Sequence, residues 1–243
     1  FLLFILGLCI GSFLNVVIDR IPQGESLVGR SHCDKCRETL KWYDLIPILS
    51  FLQLRGRCRY CDAKISPRYH FVELLTGFLF LGTYLFVGPH TIPLLYSLFM
   101  MSALIVIFFS DLLYGIISDK VLAPAIAISL LYFGLYEQQT LIGRLLTGLG
   151  CFSTLGSIFL FTRGKGMGFG DVKFAFLIGL FLGWPLGALS LYVSFLTGGM
   201  ISVMLILYRV KRFGETVPFG PFLVASTVLM YFGQRIVSQL TLL

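Results

Sequence analysis

The sequence has few charged residues. Only 13% of its 243 residues are Asp, Glu, Lys or Arg, whereas 57% are hydrophobic and the mean hydropathy is +0.89. A soluble domain typically carries about 25% charged residues and about 45–50% apolar ones. The shortage of charge excludes an ordinary soluble globule, and the abundance of apolar residues excludes a disordered chain. We therefore expect most of the chain to face lipid or other buried helices.

Histidine and the common nucleotide-binding motifs are also scarce. The three His are scattered, and no two of them have a metal-ligand spacing. The glycine-rich segment 164–171 does not end in the Gly-Lys-Ser/Thr of a phosphate-binding loop, and the chain has no G-x-G-x-x-G motif. These absences leave cysteine and carboxylate side chains as the candidates for chemistry.

Eight apolar runs predict transmembrane helices. They cover residues 1–18, 71–87, 92–110, 121–136, 141–162, 172–182, 186–208 and 218–237. A bilayer crossing needs about 20 apolar residues, so the run at 172–182 is short, and a kinked or re-entrant segment is an alternative there. The predicted fold class is an all-α polytopic membrane protein with about eight transmembrane helices. A small polar module, residues 19–70, separates the first helix from the second.

The basic residues are distributed unevenly along the chain. The net charge is +7, and residues 19–70 alone carry 10 basic and 6 acidic side chains. Basic residues recur in alternate loops, and the loops between them carry none. The positive-inside rule then places residues 19–70 in the cytosol and both ends of the chain outside. This topology accounts for the excess of positive charge, so we expect a lipid bilayer and no nucleic acid as a partner.

Four of the six cysteines form two C-x-x-C pairs, Cys33/Cys36 and Cys58/Cys61. Two such knuckles typically hold a tetrahedral zinc ion with four thiolate ligands. Disulfides are disfavoured in the cytosol, and a module of about 50 residues needs a stabilising element beyond its own core. The spacing therefore predicts a structural Zn²⁺ site.

Two acids lie at the cytosolic ends of predicted spans, where ionisable residues are energetically costly and are often functional. Asp111 closes the third span and Asp171 opens the sixth, so both lie at one depth on one side. Two carboxylates that share one proton can hydrolyse an amide, because one activates water while the other polarises the carbonyl. The helix dipoles favour Asp171 as the ionised base and Asp111 as the protonated acid.

Four glycines precede Asp171, and a substrate strand could lie against such an open backbone. The alternative is a flexible loop in which Asp171 merely caps the sixth helix. Asp119 is a candidate cap for the fourth span, and Glu73 a candidate buried polar anchor. Pro218–Pro221 predicts a rigid start for the last helix.

The chain resembles the type IV prepilin peptidases, which are also called prepilin leader peptidase/N-methyltransferases. The resemblance covers nearly the whole chain and rests on blocks that occur in order around the cysteine pairs. They are Gly11–Pro22, Trp42–Pro47, Arg55–Cys61, Ile65–Tyr69 with Val72–Gly77, the G-x-G-D-x-K block Gly168–Lys173, and Pro218–Phe222. Ser118 stands where family members usually have Pro, ahead of Asp119.

The resemblance implies an intramembrane aspartic peptidase of the GxGD type in a bacterial inner membrane. Asp111 and Asp171 match its catalytic positions, and Gly168, Gly170 and Lys173 belong to its active-site loop. The implied substrates are the leaders of type IV prepilins, pseudopilins or competence pseudopilins, cut at the cytosolic face. The resemblance also implies N-methylation of the new terminus with S-adenosylmethionine, to which no residue is assigned.

The predicted domain organisation follows from these assignments. Residues 1–18 form the first transmembrane helix, residues 19–70 the cytosolic zinc module and methyltransferase region, and residues 71–243 the membrane-embedded peptidase. Two other functions stay open: a proton-coupled transporter that uses the same two aspartates, and a zinc-knuckle scaffold without chemistry. Transporter sites usually lie near the bilayer midplane, which disfavours the first of these.

Overall fold

The structure is a computed structural model that describes residues 1–33, 35–209 and 217–240. Within these ranges the chain is helical. The α-helices are α1 (Leu2–Arg20), α2 (Leu49–Gln53), α3 (Arg68–Val87), α4 (Thr91–Tyr114), α5 (Asp119–Tyr136), α6 (Gln138–Phe161), α7 (Phe169–Leu182), α8 (Leu186–Leu207) and α9 (Gly220–Leu240), with a short 3₁₀ helix at Trp42–Leu45. The all-α prediction is therefore confirmed.

Six helices among the described residues are long and apolar enough to cross a membrane: α1, α3, α4, α5, α6 and α8. Helix α7 has 14 residues and is only about 21 Å long, against about 30 Å of hydrocarbon. The apolar run at 172–182 is thus a short helix, as the sequence predicted.

The predicted helix ends differ from the observed ones by a few residues. Helix α3 begins at Arg68 and not at residue 71, and α4 continues to Tyr114 beyond residue 110. Hydropathy detects the apolar part of a helix, whereas backbone hydrogen bonding carries the helix on into its polar ends. In α3 this extension places Arg68 where its guanidinium pairs with Asp19, 2.8 Å away.

The chain divides into two compact units, Phe1–Val106 and Ile107–Leu243. In the first unit α1 and α3 pack very closely: a Cβ at Gly11 would lie only 2.7 Å from the Cα of Glu73. Small residues of this kind let membrane helices approach each other. The Glu73 carboxylate is buried and accepts the backbone N–H of Ile48 at 3.2 Å, so its prediction as a buried polar anchor is confirmed.

In the second unit α7 is the central helix. It packs against α5, α6, α8 and α9, and most of its side chains are buried. A Cβ at Gly179 would lie 2.7 Å from the backbone of Gly148 in α6, so the two helices touch through glycine. At the far end of α7, Arg144 of α6 donates to the carbonyl of Phe181 at 2.6 Å. A cation there satisfies carbonyls that have no partner within the helix.

Candidate active site and metal centre

Asp111 lies in the last turn of α4, and its side chain is buried, with 6% exposed. Its Oδ2 accepts a hydrogen bond of 2.8 Å from the backbone N–H of Gly220, the first residue of α9. The first N–H groups of a helix have no partner within that helix, so they are free to bind an acidic group. The start of α9 therefore fixes the orientation of the Asp111 carboxyl group.

Asp171 is the third residue of α7 and is also buried, with 7% exposed. Its Oδ2 accepts the backbone N–H of Gly168 at 3.1 Å. Its Oδ1 is buried and has no hydrogen-bond partner among the described residues. A buried oxygen without a hydrogen-bond partner costs free energy. Such an atom is typical of functional sites, where water or substrate binds it.

The two carboxyl groups lie within electrostatic range, since Asp111 acts on Asp171. Each carboxyl group accepts one glycine amide: that of Gly220, which is distant in sequence, for Asp111, and that of Gly168, three residues earlier, for Asp171. Asp171 keeps its other oxygen, Oδ1, available. The geometry does not distinguish acid from base, so that assignment stays a prediction.

The loop between α4 and α5 lies against the start of α7. A Cβ at Gly170 would be 3.0 Å from the Cβ of Ile117, so only glycine allows this approach without a shift. Lys173, one turn into α7, forms an ion pair with Asp119. These two contacts connect the segment that follows Asp111 to the helix that carries Asp171.

The interpretation of Asp119 as a helix cap is wrong. Ser118 is the N-cap of α5, and its side chain accepts the N–H of Lys120 at 3.3 Å, whereas Asp119 is the first helical residue. Both residue types cap helices well, so the sequence alone did not separate them. The Asp119 carboxylate instead forms an ion pair with Lys173.

Sequence reasoning missed the role of Gly220. It interpreted Pro218–Pro221 as a rigid helix start, yet the structure places the Gly220 amide on Asp111. A Cβ on residue 220 would lie 2.6 Å from the Asp111 Oδ2, so glycine is required there. A glycine within a proline-flanked helix start was the available signal, because it provides an amide without a side chain.

The four cysteines form a compact cluster whose sulfur atoms all lie within 4.8 Å of one another. The two knuckles share one backbone geometry: Cys33 N–H donates to Glu38 and Cys58 N–H to Ala63, each five residues ahead. The distance between the sulfurs of Cys33 and Cys61 is 3.8 Å, too long for a disulfide. A tetrahedral zinc ion with Zn–S bonds of about 2.3 Å has sulfur–sulfur edges of about 3.8 Å. The cluster therefore fits a four-thiolate metal ion.

The electrostatics of the cluster also suit a cation. Burial opposes ionisation of Cys33, but hydrogen bonds from the Cys36 and Lys35 backbone and from neighbouring thiols lower its pKa to about 7. A hydrogen bond from the Ala63 backbone lowers the pKa of Cys61, but burial and contacts with the other three thiols together outweigh it and raise the pKa to about 12. Without a metal, ionisation is thus easier at Cys33 than at Cys61, and a divalent cation bound by the thiols would favour the ionised form of Cys61.

Comparisons with known proteins place these sites in a family. Residues 5–87 match the Bacterial Peptidase A24 N-terminal domain and residues 98–203 match the Type IV leader peptidase family. The first match includes all four clustered cysteines, and the second includes Asp111 and Asp171.

Curated relatives cover most of the chain. A prepilin leader peptidase/N-methyltransferase from Aeromonas hydrophila is 33% identical in an alignment of 265 positions, gaps included, that covers 97% of this chain and 91% of that protein. A protein of the same name from Myxococcus xanthus is 36% identical over 84% of this chain and 62% of that protein. Another, from Klebsiella pneumoniae, is 36% identical over 75% of this chain and 84% of that protein. No solved structure matches the chain. The identity to the Aeromonas protein over nearly the full length of both chains shows that this chain is a multi-pass membrane protein of the type IV leader peptidase family.

Proposed function

We propose that the chain cleaves the leader peptide of type IV prepilins or pseudopilins with Asp111 and Asp171 as its catalytic pair. The observation that carries the proposal is the pair of buried carboxyl groups, each held by one glycine amide, with Asp111 acting electrostatically on Asp171. Their occurrence in a chain of the leader peptidase family supports a peptide bond as the target. The transporter alternative has no observation in its favour.

The proposed reaction needs only the two carboxyl groups and water. The ionised aspartate takes a proton from water as the oxygen attacks the scissile carbonyl, and the protonated aspartate donates its proton to the carbonyl oxygen. The tetrahedral intermediate then collapses: the C–N bond breaks, the leaving amine takes a proton from one aspartate, and a hydroxyl group of the intermediate gives its proton to the other, so the pair again holds one proton. The unpartnered Oδ1 of Asp171 is available to hold the water.

The residues of the G-x-G-D-x-K block have distinct proposed roles. Gly168 orients Asp171 through its amide, and Gly170 allows the α4–α5 loop to approach. Lys173 is engaged with Asp119, so it positions α7 and does not contact the substrate. The glycine-rich backbone of residues 164–170 has few side chains, which leaves room for an extended substrate segment.

The proposed topology has about eight membrane-crossing helices, in which α7 and α9 join the six long apolar ones. Asp111 and Asp171 then lie at the cytosolic face of a bacterial inner membrane. A basic leader lies in the cytosol, while the apolar segment that follows it stays in lipid. Residues 1–18 serve as the first crossing, 19–70 as the cytosolic module and 71–243 as the peptidase.

The cysteine cluster is proposed to hold a structural zinc ion through Cys33, Cys36, Cys58 and Cys61. All four ligand positions are filled by thiolates, which leaves none for catalysis. The second proposed activity transfers a methyl group to the amine of the freshly exposed terminal residue. S-adenosylmethionine would supply the methyl group, and we assign none of the described residues to its binding.

Mass spectrometry of the products tests the proposed function. The purified chain, in detergent, is incubated with a pilin precursor and S-adenosylmethionine. We expect a new amino terminus immediately after a leader glycine, followed by the gain of one methyl group. An intact precursor after prolonged incubation with folded, metal-loaded protein would reject the peptidase assignment, and a cleaved but unmethylated product would reject only the second activity.

A further inference from the structure

An apolar face is exposed on the cysteine-containing module. It belongs to residues 41–55, here called the interfacial segment, which include the 3₁₀ helix and α2. Trp42 is 77% exposed, Leu49 58% and Leu52 65%. These side chains lie outside the membrane-spanning helices, where an apolar cluster usually marks a contact surface.

Contacts with α3 fix the depth of this segment. The Asp19–Arg68 ion pair marks the polar ends of α1 and α3. Glu73, which accepts the Ile48 N–H, is five residues further along α3, or about 7.5 Å nearer the bilayer centre. Because α3 has 20 residues and spans about 30 Å, its length matches the hydrocarbon layer and leaves little helix outside it. The backbone at Ile48 therefore lies at the membrane surface or below it.

The two sides of α2 have different environments. Ser50 is buried, and the ring of Phe51 packs on the ring of His70 in the first turn of α3, with centroids 3.8 Å apart. Leu49 and Leu52 are exposed. Since one side of α2 is fixed against α3 at membrane depth, its exposed leucines lie where lipid can cover them.

Charge also favours a lipid surface. Lys41 and Arg55 stand at the two ends of the interfacial segment. Its one acid, Asp44, is already paired with Arg59 of the second cysteine knuckle at 2.7 Å. An apolar face flanked by cations is typical of elements that lie in the headgroup layer of anionic membranes, with Trp at the water boundary.

We propose that the interfacial segment inserts its apolar face into the headgroup region of the membrane and binds anionic lipid there. The bond between Asp44 and Arg59, with Arg59 also over the ring of Tyr43, then holds the cysteine knuckle against that surface. The module lies on the bilayer and does not project into water. The proposal rests on the proposed function only for the choice of leaflet, because that function places the module at the cytosolic face.

Tryptophan fluorescence tests the proposal, because the chain contains only Trp42 and Trp184. The full chain with Trp184→Phe leaves Trp42 as the sole reporter. It is reconstituted in nanodiscs of phosphatidylcholine, with and without phosphatidylglycerol, and with brominated or unbrominated acyl chains. The matched control carries Leu49→Glu and Leu52→Glu in addition. No step of the assay requires peptide cleavage, so an inactive enzyme would not affect the result.

We expect brominated lipid to quench Trp42 at least about twofold, and acrylamide to quench it at least about threefold less than free N-acetyltryptophanamide. Phosphatidylglycerol should strengthen both effects, and the double Glu variant should lose them. Full access of acrylamide together with no quenching by brominated lipid would overturn the proposal. Protection that arises only after a synthetic pilin-leader peptide is added would also overturn it, and would make the substrate the occupant of this face.

Discussion

Replacing Gly220 by Ala tests the contact between α9 and Asp111. The added Cβ would lie 2.6 Å from the Oδ2 of Asp111 and 2.9 Å from its Cγ, whereas ordinary contacts lie at 3.4–4 Å. The carboxyl group must therefore move by nearly 1 Å (roughly 3.4 minus 2.6) or lose its bond to the amide. A misplacement of about 1 Å costs about a hundredfold in rate, or about 2.7 kcal/mol of transition-state stabilisation. We expect kcat for leader cleavage to fall by about that factor, while KM changes little.

The control is Gly199→Ala in α8, where an added Cβ meets nothing within 4 Å. Alanine favours helix over glycine by about 1 kcal/mol, so this variant should keep full activity and unfold at the same or a slightly higher temperature. Cleavage kinetics in detergent and thermal unfolding are measured for both variants. Full activity of folded Gly220→Ala would refute the claim that this amide positions Asp111.

Three further changes have expected outcomes. Asp119→Lys and Lys173→Asp should each reduce kcat at least about fivefold with little change in KM. The double variant, which exchanges the two charges, should recover part of the lost kcat. A rise in KM for Lys173→Asp alone would instead mean that Lys173 contacts the substrate. Gly179→Leu should destabilise the chain by at least about 1–3 kcal/mol in thermal or denaturant unfolding, because the leucine side chain would clash with the backbone of Gly148. An unchanged stability would contradict the close α6–α7 contact. Prolonged chelation should release one zinc ion per chain and unfold residues 19–70. The release should become easier as the pH falls, because protons compete with the metal for the thiolates. Immediate loss of cleavage with the fold intact would indicate a catalytic metal.

The helices and the candidate site residues were predictable because the physical constraints on them are local. Crossing a bilayer requires a continuous apolar run, so hydropathy alone locates the helices. Acids are rare in such runs, so Asp111 and Asp171 stand out. Thiolate coordination requires close ligands, so two C-x-x-C pairs predict the cluster that the structure forms.

Long-range contacts could not be predicted in the same way. The amide of Gly220 reaches Asp111 across 109 residues of sequence, and no local pattern reports which helix start faces which acid. The Asp119–Lys173 pair is of the same kind, since it links residues 54 apart, while the neighbouring Ser118 caps α5. Each depends on how helices pack, which hydropathy does not report.

Asp111 and Asp171 are proposed to act as one catalytic pair, and single replacements by Asn are the decisive experiment. Each variant is assayed both for leader cleavage and for methylation of a peptide that already has its mature amino terminus. We predict that Asp111→Asn and Asp171→Asn each lower the cleavage rate at least about a hundredfold and leave methylation unchanged. Substantial cleavage by either folded variant would contradict the account.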